Sequence, residues 1–107
     1  MFALSANYNL DSYSDIAVLR DDSLSNNLLI EVFEGAVSGQ LTPNEYLSIP
    51  KDEMDPAYLM HAASGTFAGD SARDLALFYD NQASGYQEIL SLENIGASFR
   101  APETMFS

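Results

Sequence analysis

Apolar residues between positions 23 and 37 recur at the spacing of an α-helix. At about 100° per residue they cover a wide arc and leave a narrow polar stripe, which predicts a central helix packed on most sides. The alternative is a buried strand over residues 28–33 that ends at Gly35, because a short apolar run fits either element. The apolar positions are Leu24, Leu28, Leu29, Ile30, Val32, Phe33 and Val37, and the polar ones are Ser23, Asn27, Glu31 and Glu34.

Four later segments carry residue orders that are typical of helix starts. In each, a side-chain oxygen precedes a proline, an acidic residue or a glutamine at the position that favours the first helical turn. The sequence therefore predicts a mainly α fold, a small helical bundle of four to five short helices within a single domain of residues 1–107. The four segments are Thr42-Pro43-Asn44-Glu45, Asp55-Pro56, Ser71-Ala72-Arg73-Asp74 and Ser84-Gly85-Tyr86-Gln87.

The N-terminal part allows one amendment to this bundle. Short apolar runs at residues 2–6 and 15–20 fit either a strand or a piece of helix; as strands they would form a small β-hairpin, which would make the fold α+β. Residues 97–107 are expected to form a loose C-terminal tail. No repeat at a fixed period is evident, and no stretch has the length of a transmembrane helix.

The net charge of the chain says more about its function than any motif does. The chain has 16 acidic and 4 basic residues, a net charge of −12, and no cysteine. Its carboxylates are spread along the sequence, which favours a folded acidic surface over a disordered acidic tail. Such a surface repels nucleic acid and anionic membranes and attracts basic proteins. Solubility and adaptation to high salt are the alternative explanations of the charge.

Candidate catalytic and metal-binding groups are few. His61 is the single histidine; an imidazole can act as a general base, but no nucleophile motif accompanies it. The carboxylates of residues 52–55 lack the spacing and the glycine of a calcium loop. We therefore predict a protein that is not an enzyme and has no metal site and no cofactor.

The distributed carboxylates are the candidate partner-binding site. Rows of carboxylates on a compact protein can occupy a groove that otherwise receives the phosphates of DNA or RNA. The residues assigned to this contact surface are Asp21, Asp22, Glu31, Glu34, Asp52, Glu53, Asp70, Asp74, Asp80 and Glu88.

Size and charge together predict an inhibitor or nucleic-acid mimic. Its partner would be a basic protein, such as a nuclease or another nucleic-acid-binding protein of a host-defence complex, with no direct contact to nucleic acid or membrane. Phage anti-CRISPR and antirestriction proteins and nuclease immunity proteins share this general profile. We expect a cytoplasmic monomer or small homo-oligomer. The alternative is a structural or assembly module of a phage particle or larger complex, since so apolar a central element needs extensive cover.

Overall fold

The computed structural model describes residues 2–9, 13–67, 73–96 and 98–106. It contains two four-stranded antiparallel sheets, in each of which neighbouring strands follow one another along the chain. Sheet 1 consists of β1 (Phe2–Ala6), β2 (Asp15–Asp22), β3 (Asn27–Glu34) and β4 (Thr42–Pro50). Sheet 2 consists of β5 (Leu59–Gly65), β6 (Asp74–Asn81), β7 (Tyr86–Leu92) and β8 (Glu103–Phe106). One turn of 3₁₀ helix, Pro56–Tyr58, precedes β5.

The predicted helical bundle is wrong, and so is its α+β variant. The segment predicted as the central helix is a turn at residues 23–26 followed by β3, so the alternative of a buried strand over residues 28–33 is confirmed. β3 is an inner strand, bonded to β2 and to β4. An inner strand that is apolar on both faces has a nearly continuous apolar sequence, which looks like a buried helix when it is short.

The predicted helix starts belong to other elements. Thr42 begins β4, Asp74 begins β6, and Ser84 lies in the turn between β6 and β7. Asp55 does cap a helix, because its Oδ1 accepts the N–H of Ala57 at 2.9 Å, but that helix has only three residues. Oxygen-bearing side chains satisfy backbone N–H groups in turns as well as at helix starts, so the local pattern does not distinguish the two.

The two ends of the chain are both in sheets. The N-terminal hairpin is confirmed, since β1 pairs with β2 from Phe2 opposite Leu19 to Ala6 opposite Asp15. The loose tail predicted for residues 97–107 is wrong over its described part. Phe99 is buried, and β8 pairs with β7. Within the described ranges, no helix has the length and apolar character needed to cross a membrane.

The core lies between the two sheets and draws on both. Leu19 and Ile30 of sheet 1 and Leu77 of sheet 2 are almost completely enclosed, and burying each such side chain contributes about 1.5–3 kcal/mol. β1 and β5 are the strands at which the sheets approach most closely. Farther out, the rings of Tyr46 and Phe99 fill the gap with their centroids 5.3 Å apart. The sheets therefore form a wedge that is narrow along their first strands.

The strand directions bring three connections to one end of the wedge. Because β3 is antiparallel to both β2 and β4, the turn at residues 23–26 and the last residue of β4 share an end, and the Lys51 N–H donates to the Asn26 carbonyl at 3.3 Å. β5 begins opposite Tyr79 near the end of β6, so the turn at residues 82–85 lies there as well. The third connection is the loop of residues 51–58.

Candidate functional site

The carboxylate of Asp15 organises the start of β2. Asp15 is fully buried, and each of its oxygens accepts a backbone N–H: Oδ2 from Tyr8 and Oδ1 from Gly35, both at 2.9 Å. Tyr8 is buried too; its hydroxyl donates to the Leu4 carbonyl at 3.3 Å, and burial raises its pKa. One side chain thus ties the β1–β2 connection to the end of β3.

Asp74 repeats this arrangement in sheet 2. It is also fully buried; its Oδ2 accepts the N–H of Phe67 at 2.9 Å and its Oδ1 that of Asn94 at 2.8 Å. Both partners lie at the same separations along the chain, 7 and 20 residues, as the partners of Asp15. Asp74 follows Asp15 by 59 residues, so the hydrogen bonds reveal a repeat of that period.

The sequence carries the repeat weakly, and the prediction that there is none is wrong. When residues 2–35 are paired with residues 61–94, ten of the 34 positions are identical. The prolines near the starts of β4 and β8, Pro43 and Pro102, keep the same offset. The identical pairs are Ala3/Ala62, Ser5/Ser64, Asp11/Asp70, Ser12/Ser71, Asp15/Asp74, Ala17/Ala76, Asp21/Asp80, Ser25/Ser84, Ile30/Ile89 and Glu34/Glu93.

The hairpin turns repeat as well. Asp22 accepts the N–H of Leu24 with its side chain, and its equivalent Asn81 accepts the N–H of Ala83 in the same way. The last turn residue has a positive φ in both cases, 58° at Asn26 and 76° at Gly85. Asparagine and glycine are the residues that tolerate this conformation best.

Six carboxylates lie in the β4–β5 loop and at the strand ends that lead into these turns. We call this group the acidic end. It includes five of the predicted contact residues and Asp55, which the sequence prediction did not assign to the contact surface. Asp52 and Glu53 are exposed, as is Asp21. The members of the acidic end are Asp21, Asp22, Asp52, Glu53, Asp55 and Asp80.

Two basic side chains neutralise part of the acidic end. Lys51 Nζ lies 2.7 Å from Asp21 Oδ1, and the Arg20 guanidinium lies 3.9 Å from Asp22 Oδ1 and 3.0 Å from Glu31 Oε1. The Ser25 hydroxyl donates to Asp22 at 2.8 Å, and this bond holds the pKa of the Asp22 carboxyl below its ordinary value. Acidic residues still outnumber basic ones here, so this end remains negative.

A cleft of about 250 Å³ opens beside the acidic end, between the outer parts of the sheets. Glu53 and Glu88 line it together with Tyr79. The Tyr79 hydroxyl accepts the Asp55 N–H at 3.0 Å, and Asn81 Nδ2 donates to Glu88 at 2.9 Å. Glu88, the sixth predicted contact residue found here, therefore borders the acidic end and is already engaged by a neighbour.

The remaining predicted contact residues lie elsewhere. Glu31 is on the outer face of sheet 1, paired with Arg20, and Glu34 accepts the Tyr46 hydroxyl at 2.9 Å. The assignment of Asp74 to the contact surface is wrong, because a fully buried carboxylate bonded to two backbone N–H groups cannot face a partner. Asp70 lies outside the described residues. The ten carboxylates therefore do not form one continuous row.

The candidate catalytic histidine sits among aromatic rings. His61 lies in β5, not in a helix, and its ring meets Phe2 and Phe78 edge to face at centroid distances of 6.3 and 6.0 Å. Among the described residues, no three histidine, aspartate or glutamate side chains are placed to hold a metal ion. The signal that sequence reasoning missed is the repeat, which distinguishes Asp15 and Asp74 from the surface carboxylates.

No family model, curated protein or solved structure matches the chain.

Proposed function

We propose that this chain is a non-catalytic binding protein whose acidic end occupies a basic surface of a partner protein. The observation that carries the proposal is the convergence of three separate connections on one end of the wedge, which brings together the carboxylates of the β4–β5 loop and those at the ends of β2 and β6. A charged surface of one sign attracts its opposite over a distance of about one Debye length, roughly 8 Å at physiological ionic strength.

The partner class that fits best is a nucleic-acid-binding protein, with this chain as its inhibitor. Such proteins present lysine and arginine side chains to phosphates, and carboxylates on a rigid scaffold can meet the same side chains. Short turns fixed by side-chain hydrogen bonds supply that rigidity at Asp22 and Asn81. We place this interaction in the cytoplasm, with which a chain lacking cysteine is compatible.

The test compares two double variants with the same change in net charge. Asp52→Lys with Glu53→Lys reverses two exposed carboxylates of the acidic end, whereas Glu45→Lys with Glu103→Lys reverses two exposed carboxylates on strands. Each protein is used as bait in a lysate at low salt, and the captured proteins are challenged with rising NaCl and with duplex DNA.

The expected result is capture of a nucleic-acid-binding protein by the native chain and by the strand variant, but not by the acidic-end variant. Moderate salt or duplex DNA should release it. Equal capture by all three baits would contradict the proposal. An equal loss in both variants would assign the effect to net charge and would also contradict a role for the acidic end.

A further inference from the structure

The two sheets use different faces to pack against each other. In sheet 1, the cross-strand pair Leu19 and Ile30 faces the core, with 1% and 0% of these residues exposed. The repeat-equivalent pair in sheet 2 is Phe78 and Ile89, which are also cross-strand partners. Phe78 is 38% exposed and Ile89 is half-buried. The positions that form the core in sheet 1 therefore lie on the outer face of sheet 2.

The opposite faces show the reverse relation. Leu75 and Leu92 are cross-strand partners on the core face of sheet 2, and both are fully buried. Their equivalents in sheet 1, Ile16 and Phe33, are also cross-strand partners, but they are only half-buried on its outer face. The contact between the sheets is thus heterologous, since it joins one face of the repeat to the other face of the next repeat.

The outer face of sheet 1 and the outer face of sheet 2 are therefore both uncovered. Their repeat equivalents are the two faces that pack against each other inside the chain. The outer face of sheet 2 carries an apolar depression of about 170 Å³ lined by Met60, Phe78 and Ile89. On the outer face of sheet 1, Arg20 and Glu31 lie among half-buried apolar residues of the two inner strands and are joined by a 3.0 Å contact, while Glu45, opposite Glu31, is exposed on the outermost strand. A paired charge can be covered at far lower cost than an unpaired one.

We propose that copies of this chain associate through these faces, the outer face of sheet 2 packing on the outer face of sheet 1 of the next copy. This would repeat between molecules the contact that already exists within one. The occupant is another copy of this chain. Inside the chain, sheet 2 covers the core face of sheet 1, and the face that sheet 2 uses for this contact is equivalent in its strand positions and pairing to the free outer face of sheet 1. This inference develops the assembly role predicted as an alternative from the sequence and does not depend on the acidic end.

The geometry of the internal contact indicates a closed ring. Four-stranded antiparallel sheets stacked by radial repetition, closest at their first strands, are the blades of a β-propeller, which has 4–8 blades in typical cases. Copies joined by a heterologous contact form a closed ring when the rotation from one copy to the next divides a full circle evenly. Two blades per chain then predict rings of about two to four copies, with β1 and β5 of each copy nearest the axis.

The test measures molar mass by light scattering and by sedimentation velocity from micromolar to sub-millimolar concentration. The native chain should have two to four times the 11.7 kDa of one copy. Phe78→Lys blocks the outer face of sheet 2 and Phe33→Lys that of sheet 1, so each variant alone should be monomeric. The control is Leu24→Lys, whose side chain is 97% exposed in a turn and should leave the mass unchanged.

A mixture of the two blocked variants distinguishes a heterologous contact from a symmetric one. Each variant keeps the face that the other has lost, so the mixture should form a heterodimer of one copy of each and nothing larger. Circular dichroism and urea unfolding establish that both variants are folded. A native chain that is monomeric throughout the concentration range overturns the proposal, as does an assembly that persists in both Phe variants or a mixture of folded variants without heterodimer.

Discussion

Replacing either buried aspartate by asparagine tests the hydrogen bonding that defines the repeat. Asp15→Asn and Asp74→Asn preserve side-chain size but remove the charge and turn one of two acceptors into a donor. In the native chain both oxygens of each carboxylate accept backbone N–H groups, at 2.8–2.9 Å. The new amide N–H₂ would therefore face a backbone N–H, and two donors would meet without an acceptor.

The cost follows from the number of bonds lost. A hydrogen bond to a charged group contributes about 1.5–3 kcal/mol, and a buried donor left without an acceptor costs about 1–3 kcal/mol. We therefore expect each substitution to lower the free energy of unfolding by about 3 kcal/mol, a large part of the 5–15 kcal/mol that is typical of a domain. With a urea dependence of about 2 kcal/mol per molar, the unfolding midpoint should fall by about 1.5 M.

Equilibrium urea unfolding, followed by circular dichroism, measures this midpoint. The control is Asp52→Asn, because Asp52 is exposed in a loop and its substitution should change stability by less than about 0.5 kcal/mol. A midpoint for Asp15→Asn or Asp74→Asn no lower than that of the control would refute the role of these hydrogen bonds. Costs that differ more than twofold between the two would refute their equivalence.

Three further substitutions test the local geometry. Gly35→Ala should destabilise the chain by more than about 1 kcal/mol in the same unfolding assay, because an added Cβ meets the Ser14 carbonyl oxygen and neither backbone segment can yield easily. Gly85→Ala should cost about 1 kcal/mol through its φ of 76°, whereas stability unchanged within error would show that the turn relaxes. Asp22 should titrate below its ordinary pKa of 3.8 by NMR, and Ser25→Ala should raise that value. Because the pKa of Asp22 is lower in the folded state, its contribution to stability is present above the unfolded-state pKa and is lost as the pH falls through the folded-state pKa. An Asp22 titration at the ordinary pKa in both proteins would contradict this account.

The sequence predicted the strands only where alternation or turn residues were visible. The runs that form β1 and β2 are flanked by polar residues and fit either a strand or a piece of helix, and the hairpin proposed as an amendment to the bundle is confirmed. The inner strand β3 was assigned to a helix because its apolar residues occupy both faces, which removes the twofold period. How deeply each of these residues is buried depends on neighbouring strands and on the second sheet, and neither is visible in a local pattern.

The candidate site was predicted in composition but not in arrangement. Five of the predicted carboxylates do lie on the acidic end, because they occupy the β4–β5 loop or the ends of β2 and β6 beside polar turns. Asp74 looked like its neighbours in the sequence, and only its burial at the start of β6, where it accepts the N–H of Phe67, separates it from them. The repeat was the available clue, but with ten identities in 34 positions it becomes convincing only once the hydrogen bonds coincide.

The two proposals meet in the topology of the repeat. The turn between the second and third strands of each sheet lies at the same end of the molecule as the β4–β5 loop, so a ring of copies would place every acidic end on one rim. A partner with several basic sites could then contact several acidic ends at once. It would bind the ring more tightly than a single copy, because each further contact forms at a high effective concentration. Phe78→Lys leaves the acidic end unchanged but should break the ring. If both proposals hold, this variant should bind an extended basic partner more weakly and with a shallower salt dependence than the native chain. If its binding equals that of the native chain, the acidic end acts through single copies.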